Sequence, residues 1–179
     1  MLVRPKQAPR KTTQAPMRLL KNRIQRRLSE GKILVENAIT QFDMRGIYIT
    51  EVDLERLREL VGVARSCSEL DPQSLKVLEN ELDRAEIVPA ETIPPDVITM
   101  NSRARLRDLG TQEEIIFTIV YPRAANLEKG KISVMSPLGM ALLGYRAGDI
   151  LDWGVPDGVR RLEVVEVAYQ PEAAGDFHL

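Results

Sequence analysis

Val134-Met135-Ser136-Pro137-Leu138-Gly139-Met140-Ala141-Leu142-Leu143-Gly144 reads as a short helix set between strands, and it decides the fold class. Ser136 offers a hydroxyl to a backbone N–H, and Pro137 suits the first helical position, where no N–H is needed. Leu138, Ala141 and Leu142 share one side, and Gly144 ends the element. Working outward, Lys131 to Met135 predicts a short strand. Ile115-Ile116-Phe117-Thr118-Ile119-Val120-Tyr121 predicts a longer one, rich in β-branched residues and closed by Pro122. Val97 to Met100 and Ala104 to Arg107 predict one or two edge-type strands. Asp149 to Val155 and Arg160 to Tyr169 predict a hairpin about Pro156-Asp157-Gly158. Strands surrounding one helix imply an α+β domain, the helix packed on an antiparallel sheet.

Further upstream the pattern is helical. Thr50-Glu51-Val52-Asp53 predicts a helix start, with a capping hydroxyl and acids near the positive helix end. Val52, Leu57, Leu60/Val61 and Ala64 mark one face up to about Arg65. Asp71-Pro72 predicts a second start, the carboxylate capping and the proline at the first position. Leu75, Leu78, Leu82 and Ala85 form its stripe, and Pro89 and Pro94-Pro95 end it. Two stripes joined by Ser66 to Leu70 make a short antiparallel helical hairpin. At ~1.5 Å per residue each arm spans roughly 20 Å. Helices of that length are marginal alone in water, so they need each other or the following domain.

The chain has 179 residues, 44% hydrophobic and 28% charged, enough for one core of ordinary size with an appendage. Aromatic content of 4% argues against a platform for stacking bases. Cys67 is the single cysteine, which excludes an intrachain disulfide and a cysteine metal cluster and fits a reducing cytoplasm. No apolar run reaches the ~20 residues of a spanning helix. His178 is the single histidine and stands next to the C-terminus. With no Ser-His-Asp set and no phosphate-cradling glycine loop, the sequence predicts neither an enzyme nor a bound cofactor or metal.

Net charge is −1, but its distribution is lopsided. Residues 1–29 hold nine Lys/Arg and no acid, leaving 16 basic against 26 acidic residues in 30–179. Residues 1–16, with Pro5, Pro9 and Pro16, carry too little apolar surface to offset chain entropy and are expected to be disordered. Met17, Leu20, Ile24 and Leu28 recur at helical spacing among Arg18, Lys21, Arg23, Arg26 and Arg27. A basic stretch of this kind suits nucleic-acid phosphates without sequence preference or an acidic protein surface, and equally a solvated tail that binds nothing specific. The chain thus divides into a basic arm (1–46), a hairpin (47–92) and an α+β domain (93–179).

Several phrases together resemble the Gre family of bacterial transcript-cleavage factors, and within it the Rnk branch. They are Asn80-Glu81-Leu82-Asp83-Arg84-Ala85, Asp96 to Ser102, Val120-Tyr121-Pro122, Ser136-Pro137-Leu138-Gly139, Gly148 to Trp153 and Tyr169 to Asp176. The resemblance implies a helical hairpin followed by an FKBP-like domain. It also implies binding to bacterial RNA polymerase, the β domain at the mouth of the secondary channel and the hairpin pointing inward; separately, the chain is expected to be a monomer. In cleavage factors an acidic pair at the hairpin tip holds a second Mg²⁺ that activates water against RNA. Here the tip offers only Glu69 and Asp71, and Asp71 serves Pro72 as a helix cap. The expectation is a regulator that occupies the channel without catalysis. Cleavage stimulation through Glu69 and Asp71 is the alternative, and prolyl isomerisation a remote third reading.

Arg103, Arg105 and Arg107 alternate at period two, which predicts three guanidinium groups on one sheet face. With Ser136, Pro137, Gly139 and Asp149 they are the candidate polymerase contacts. Each has a blander reading: a solvated strand face, a helix cap, a turn. Leu138 and Trp153 belong to the core on their size and polarity.

Overall fold

The computed structural model describes residues 47–67, 72–155 and 158–177. The basic arm, Glu69 and Asp71 at the hairpin tip, the Pro156-Asp157 turn and His178 lie outside the described residues.

The chain enters through β1 (Tyr48–Ile49) and turns directly into α1 (Glu51–Cys67). Thr50 Oγ1 accepts the Asp53 N–H at 3.1 Å, the cap that the sequence predicts. Then α2 (Pro72–Asp83) returns alongside it. Leu54, Leu57 and Val61 of α1 are buried with Leu75, Leu78 and Leu82 of α2. Val52 does not join them: it is 51% exposed, and Leu54 takes the inward place. The spacing explains this, since five residues carry Val52 about 140° around the helix from Leu57. After α2, β2 (Glu86–Ile87) pairs in parallel with β1, Tyr48 opposite Glu86 and Ile49 opposite Ile87. This two-residue ladder closes the open end of the hairpin.

The second layer is a five-stranded sheet ordered β5-β4-β3-β7-β6. Its members are β3 (Arg103–Asp108), β4 (Glu114–Val120), β5 (Lys131–Ser133), β6 (Ile150–Val155) and β7 (Gly158–Tyr169). Two expectations need correction. The arginine-bearing β3 is the central strand, hydrogen-bonded to β4 on one side and β7 on the other. Val97 contributes only an isolated bridge to Arg146. Nor is the sheet wholly antiparallel, because β5 runs parallel to β4 with Ile119 opposite Ile132. The ten residues from Tyr121 to Gly130 make room for that crossover through two 3-10 turns, Pro122–Ala124 and Leu127–Lys129.

The helix read from the opening phrase is α3 (Pro137–Leu142), with Leu138, Ala141 and Leu142 buried. Gly144 ends it at φ +84°, and a Cβ there would lie 2.4 Å from Ile47 Cγ2. The tight approach seats the start of the hairpin against the end of α3. One hydrophobic cluster runs from Ile47 and Leu57 through Leu106, Ile132 and Leu142 to Trp153 and Val164. The hairpin therefore has no core separate from that of the sheet. A final turn of helix, α4 (Pro171–Ala174), packs beside it and is anchored by Gln170, whose Nε2 donates to Pro94 O and Val97 O at 2.8 Å.

Candidate functional site

The Ser136 phrase is a capping structure. Ser136 Oγ accepts the Gly139 N–H at 3.1 Å and donates to Ser133 O at 2.7 Å. A Cβ on Gly139 would stand 2.1 Å from that same carbonyl oxygen, so close backbone approach demands glycine. Pro137 takes the first helical position and Leu138 fills the core. Ser136 and Pro137 stay half-buried and reachable from solvent. Asp149 Oδ2 accepts the Arg146 N–H at 2.8 Å and so ties a turn together.

The three arginines do share one face of β3, as the alternation predicts, but they do not present bare positive charge. Arg105 meets Glu166 at 2.5 Å and Glu114 at 3.5 Å. Arg107 meets Glu114 at 2.7 Å and Glu163 at 3.4 Å. The register makes these pairs: Arg105 lies opposite Glu166 on β7, and Arg107 lies opposite Glu114 on β4 and Glu163 on β7. The hydrogen bond from Arg107 holds the Glu114 carboxyl below its ordinary range. Arg103 stands exposed at the start of the strand. At the far end of β3, Arg160 of β7 reaches the buried Asp108 at 2.8 Å. Burial pushes Asp108 upward, but the Gly110 N–H, Arg160 and the Thr111 N–H outweigh it and leave its pKa lowered.

A constellation that sequence reasoning missed lies where the hairpin meets the sheet. Asp53, on the first turn of α1, is buried, and Tyr121 Oη donates to its Oδ1 at 2.9 Å. Burial raises its pKa, with Tyr121, Thr50 and Arg56 pulling the other way. The Tyr121 hydroxyl is in turn held strongly protonated, by burial first and then by the Asp53 charge. Glu172 of α4 is also buried and accepts from Thr99 Oγ1 at 2.7 Å, while Ser102 Oγ stands 2.8 Å from that hydroxyl. Burial raises Glu172 as well, the Thr99 bond opposing it and the charge of Asp53 adding to it.

Both carboxylates line an open groove of about 500 Å³. Its walls are the first turn of α1, the stretch from Ile87 to Glu91 and the tail from Pro171 to Phe177, with Met100 between them. Tyr121, Asp53 and Glu172 come from three distant segments. The available signal was the phrases Val120-Tyr121-Pro122 and Tyr169 to Asp176, which contain two of them. Among the described residues, no group of three or more His, Cys, Asp or Glu side chains is placed to hold a metal ion. None of their helices is long and apolar enough to cross a membrane.

Comparison with known proteins bears on both layers. Residues 93–169 match the family described as transcription elongation factor, GreA/GreB, C-term, and residues 45–88 match the Rnk N-terminus. The chain is 50% identical over 103 residues to the regulator of nucleoside diphosphate kinase of Escherichia coli K12, covering 57% of this chain and 76% of that one. It is 41% identical over 157 residues to the transcription elongation factor GreA of Clostridium botulinum strain Hall, covering 78% of this chain and 98% of that one. Among solved structures, a prokaryotic transcription elongation factor GreA/GreB from Nitrosomonas europaea superposes with a TM-score of 0.60. Its identity is 42%, over 70% of this chain and 99% of that one.

Proposed function

The chain belongs to the GreA/GreB transcription elongation factor family, in its Rnk branch, and from that premise we propose that it is a cytoplasmic, monomeric regulator of bacterial RNA polymerase. Its α+β domain, with the FKBP-like character of the family, docks at the polymerase secondary channel, and its hairpin occupies the channel without catalysis. The observation that carries this reading is the length of the hairpin. At ~1.5 Å per residue, the 17 residues of α1 extend roughly 25 Å and the 12 of α2 roughly 18 Å. Such arms block an entrance more readily than they deliver a metal ligand to a distant active site. Ser136, Pro137 and Arg103 are the contacts we assign to the polymerase, because they remain reachable from solvent on the domain that would dock.

The test combines two measurements on core polymerase. Addition of the chain should displace a bound cleavage factor, and it should release no short 3′ RNA from backtracked complexes. Undiminished binding of the cleavage factor at saturating chain would overturn the docking site. Release of short RNA that is lost in Glu69→Ala/Asp71→Ala would replace exclusion with cleavage stimulation through the tip.

A further inference from the structure

The groove at the hairpin–sheet junction has a composition that the polymerase reading leaves unused. Val52, Ile87 and Phe177 stand 51%, 57% and 54% exposed, and all three line it. Three large apolar side chains converging on one concave surface mark an interaction site. Around them the lining carries Glu51, Asp53, Glu91, Glu172 and Asp176 and no Lys or Arg. The lining is therefore apolar and acidic at once. It fits a helix with an apolar stripe flanked by cations.

We propose that this groove binds the chain's own segment Met17 to Leu28, so that the basic arm folds back onto the junction of hairpin and sheet. Met17, Leu20, Ile24 and Leu28 supply the stripe, and Arg18, Lys21, Arg23, Arg26 and Arg27 supply the flanking charge. As a helix the segment is about 18 Å long. The chain's path favours this occupant over an external one. The described backbone begins at Ile47, and Thr50, three residues on, already lines the groove. Residues 29–46 connect the two, and a flexible chain of 18 residues has a root-mean-square span of about 25 Å and a fully extended reach near 60 Å. A tether of that length holds the segment at roughly millimolar effective concentration, so a weak contact suffices for occupancy. Docking pairs the arm's excess positive charge with the acidic body of the same chain. It also makes groove carboxylates and nucleic-acid phosphates compete for the same side chains.

The inference does not depend on the polymerase reading, and its test contains no polymerase. In the full chain carrying Cys67→Ser, the pair Asn22→Cys and Ala90→Cys should form a disulfide within one chain under mild oxidation at low salt. Adding Glu51→Lys and Glu91→Lys, both exposed in the described structure, should cut its yield at least fivefold, as should high salt. Trypsin should cleave after Lys21, Arg23, Arg26 and Arg27 more slowly in the unaltered chain than in Glu51→Lys/Glu91→Lys, which tests the contact without new cysteines. A disulfide formed only between chains would give the groove to a second copy and overturn the proposal. So would a yield indifferent to charge reversal, or equal tryptic cleavage in both chains.

Discussion

At the scale of single residues, two positions show how function-like signals dissolve into structure and how structure creates others. Gly139 belongs to one of the phrases that carry the family resemblance, yet the Ser133 carbonyl decides its identity, leaving no room for a Cβ. Gly139→Ala should cost about 1–3 kcal/mol in urea unfolding through forced displacement of α3 from β5. A loss below about 0.5 kcal/mol would show the loop yielding freely. Glu172 runs the other way: a plain glutamate in sequence, it becomes a buried carboxyl with a raised pKa. Above its ordinary value of 4.5 the unfolded chain releases the proton while the folded chain still holds it, so stability falls as pH rises through the window up to the raised value. Glu172→Gln keeps an acceptor for the Thr99 hydroxyl and removes the charge. Its stability relative to the unaltered chain should improve as pH rises above the ordinary value of 4.5, read as urea midpoints across a pH series. Parallel midpoint curves would sink the assignment. The cap and the core leucines were legible because they depend on neighbours in sequence. The buried acids were not, since their burial is set by Thr99 and Tyr121, far along the chain.

At the scale of elements, periodicity told which residues share a face but not what stands next to it. The alternation of Arg103, Arg105 and Arg107 gave the pleat correctly, and the polar face suggested an edge. Polarity on one face says nothing about whether the strand's own hydrogen bonds are taken, and β3 is paired on both sides. Glutamates on the neighbouring strands make a central arginine strand tolerable. Strands of two residues, such as β1 and β2, carry no period at all and are invisible until the helices bring them together. The arginine ladder is half-exposed, with Glu114 at 37% and Arg105 at 38% side-chain exposure, so solvent screens it heavily. Glu114→Gln, which removes the carboxylate shared by Arg105 and Arg107, should therefore lower stability only slightly. That loss should shrink further in high salt. Urea titrations at low and high ionic strength measure both, and a large loss that salt leaves unchanged would mean that the face is far drier than its exposure says.

At the scale of the whole molecule, the question is whether hairpin and sheet are two bodies or one. The hairpin's inner face belongs to the same cluster as the sheet and α3. Three further ties bind them: Tyr121 to Asp53 at 2.9 Å, Ile47 seated on Gly144, and the Arg146 guanidinium 5.5 Å from the centre of the Tyr48 ring. Helices of 17 and 12 residues gain little from propensity alone, so their stability comes from this packing. A hairpin held at its base in this way keeps a fixed direction relative to the domain, which a channel-occupying element requires. The same arrangement predicts one cooperative unfolding transition. Trp153 is the only tryptophan and is buried in the sheet layer, so its fluorescence reports that layer. Among the described residues α1 and α2 are the two longest helices, so their far-ultraviolet circular dichroism reports the hairpin. The two urea curves should superimpose in midpoint and slope. An earlier loss of helical signal with Trp153 still buried would make the hairpin a separately melting element and remove the rigidity that the proposed role in the channel needs.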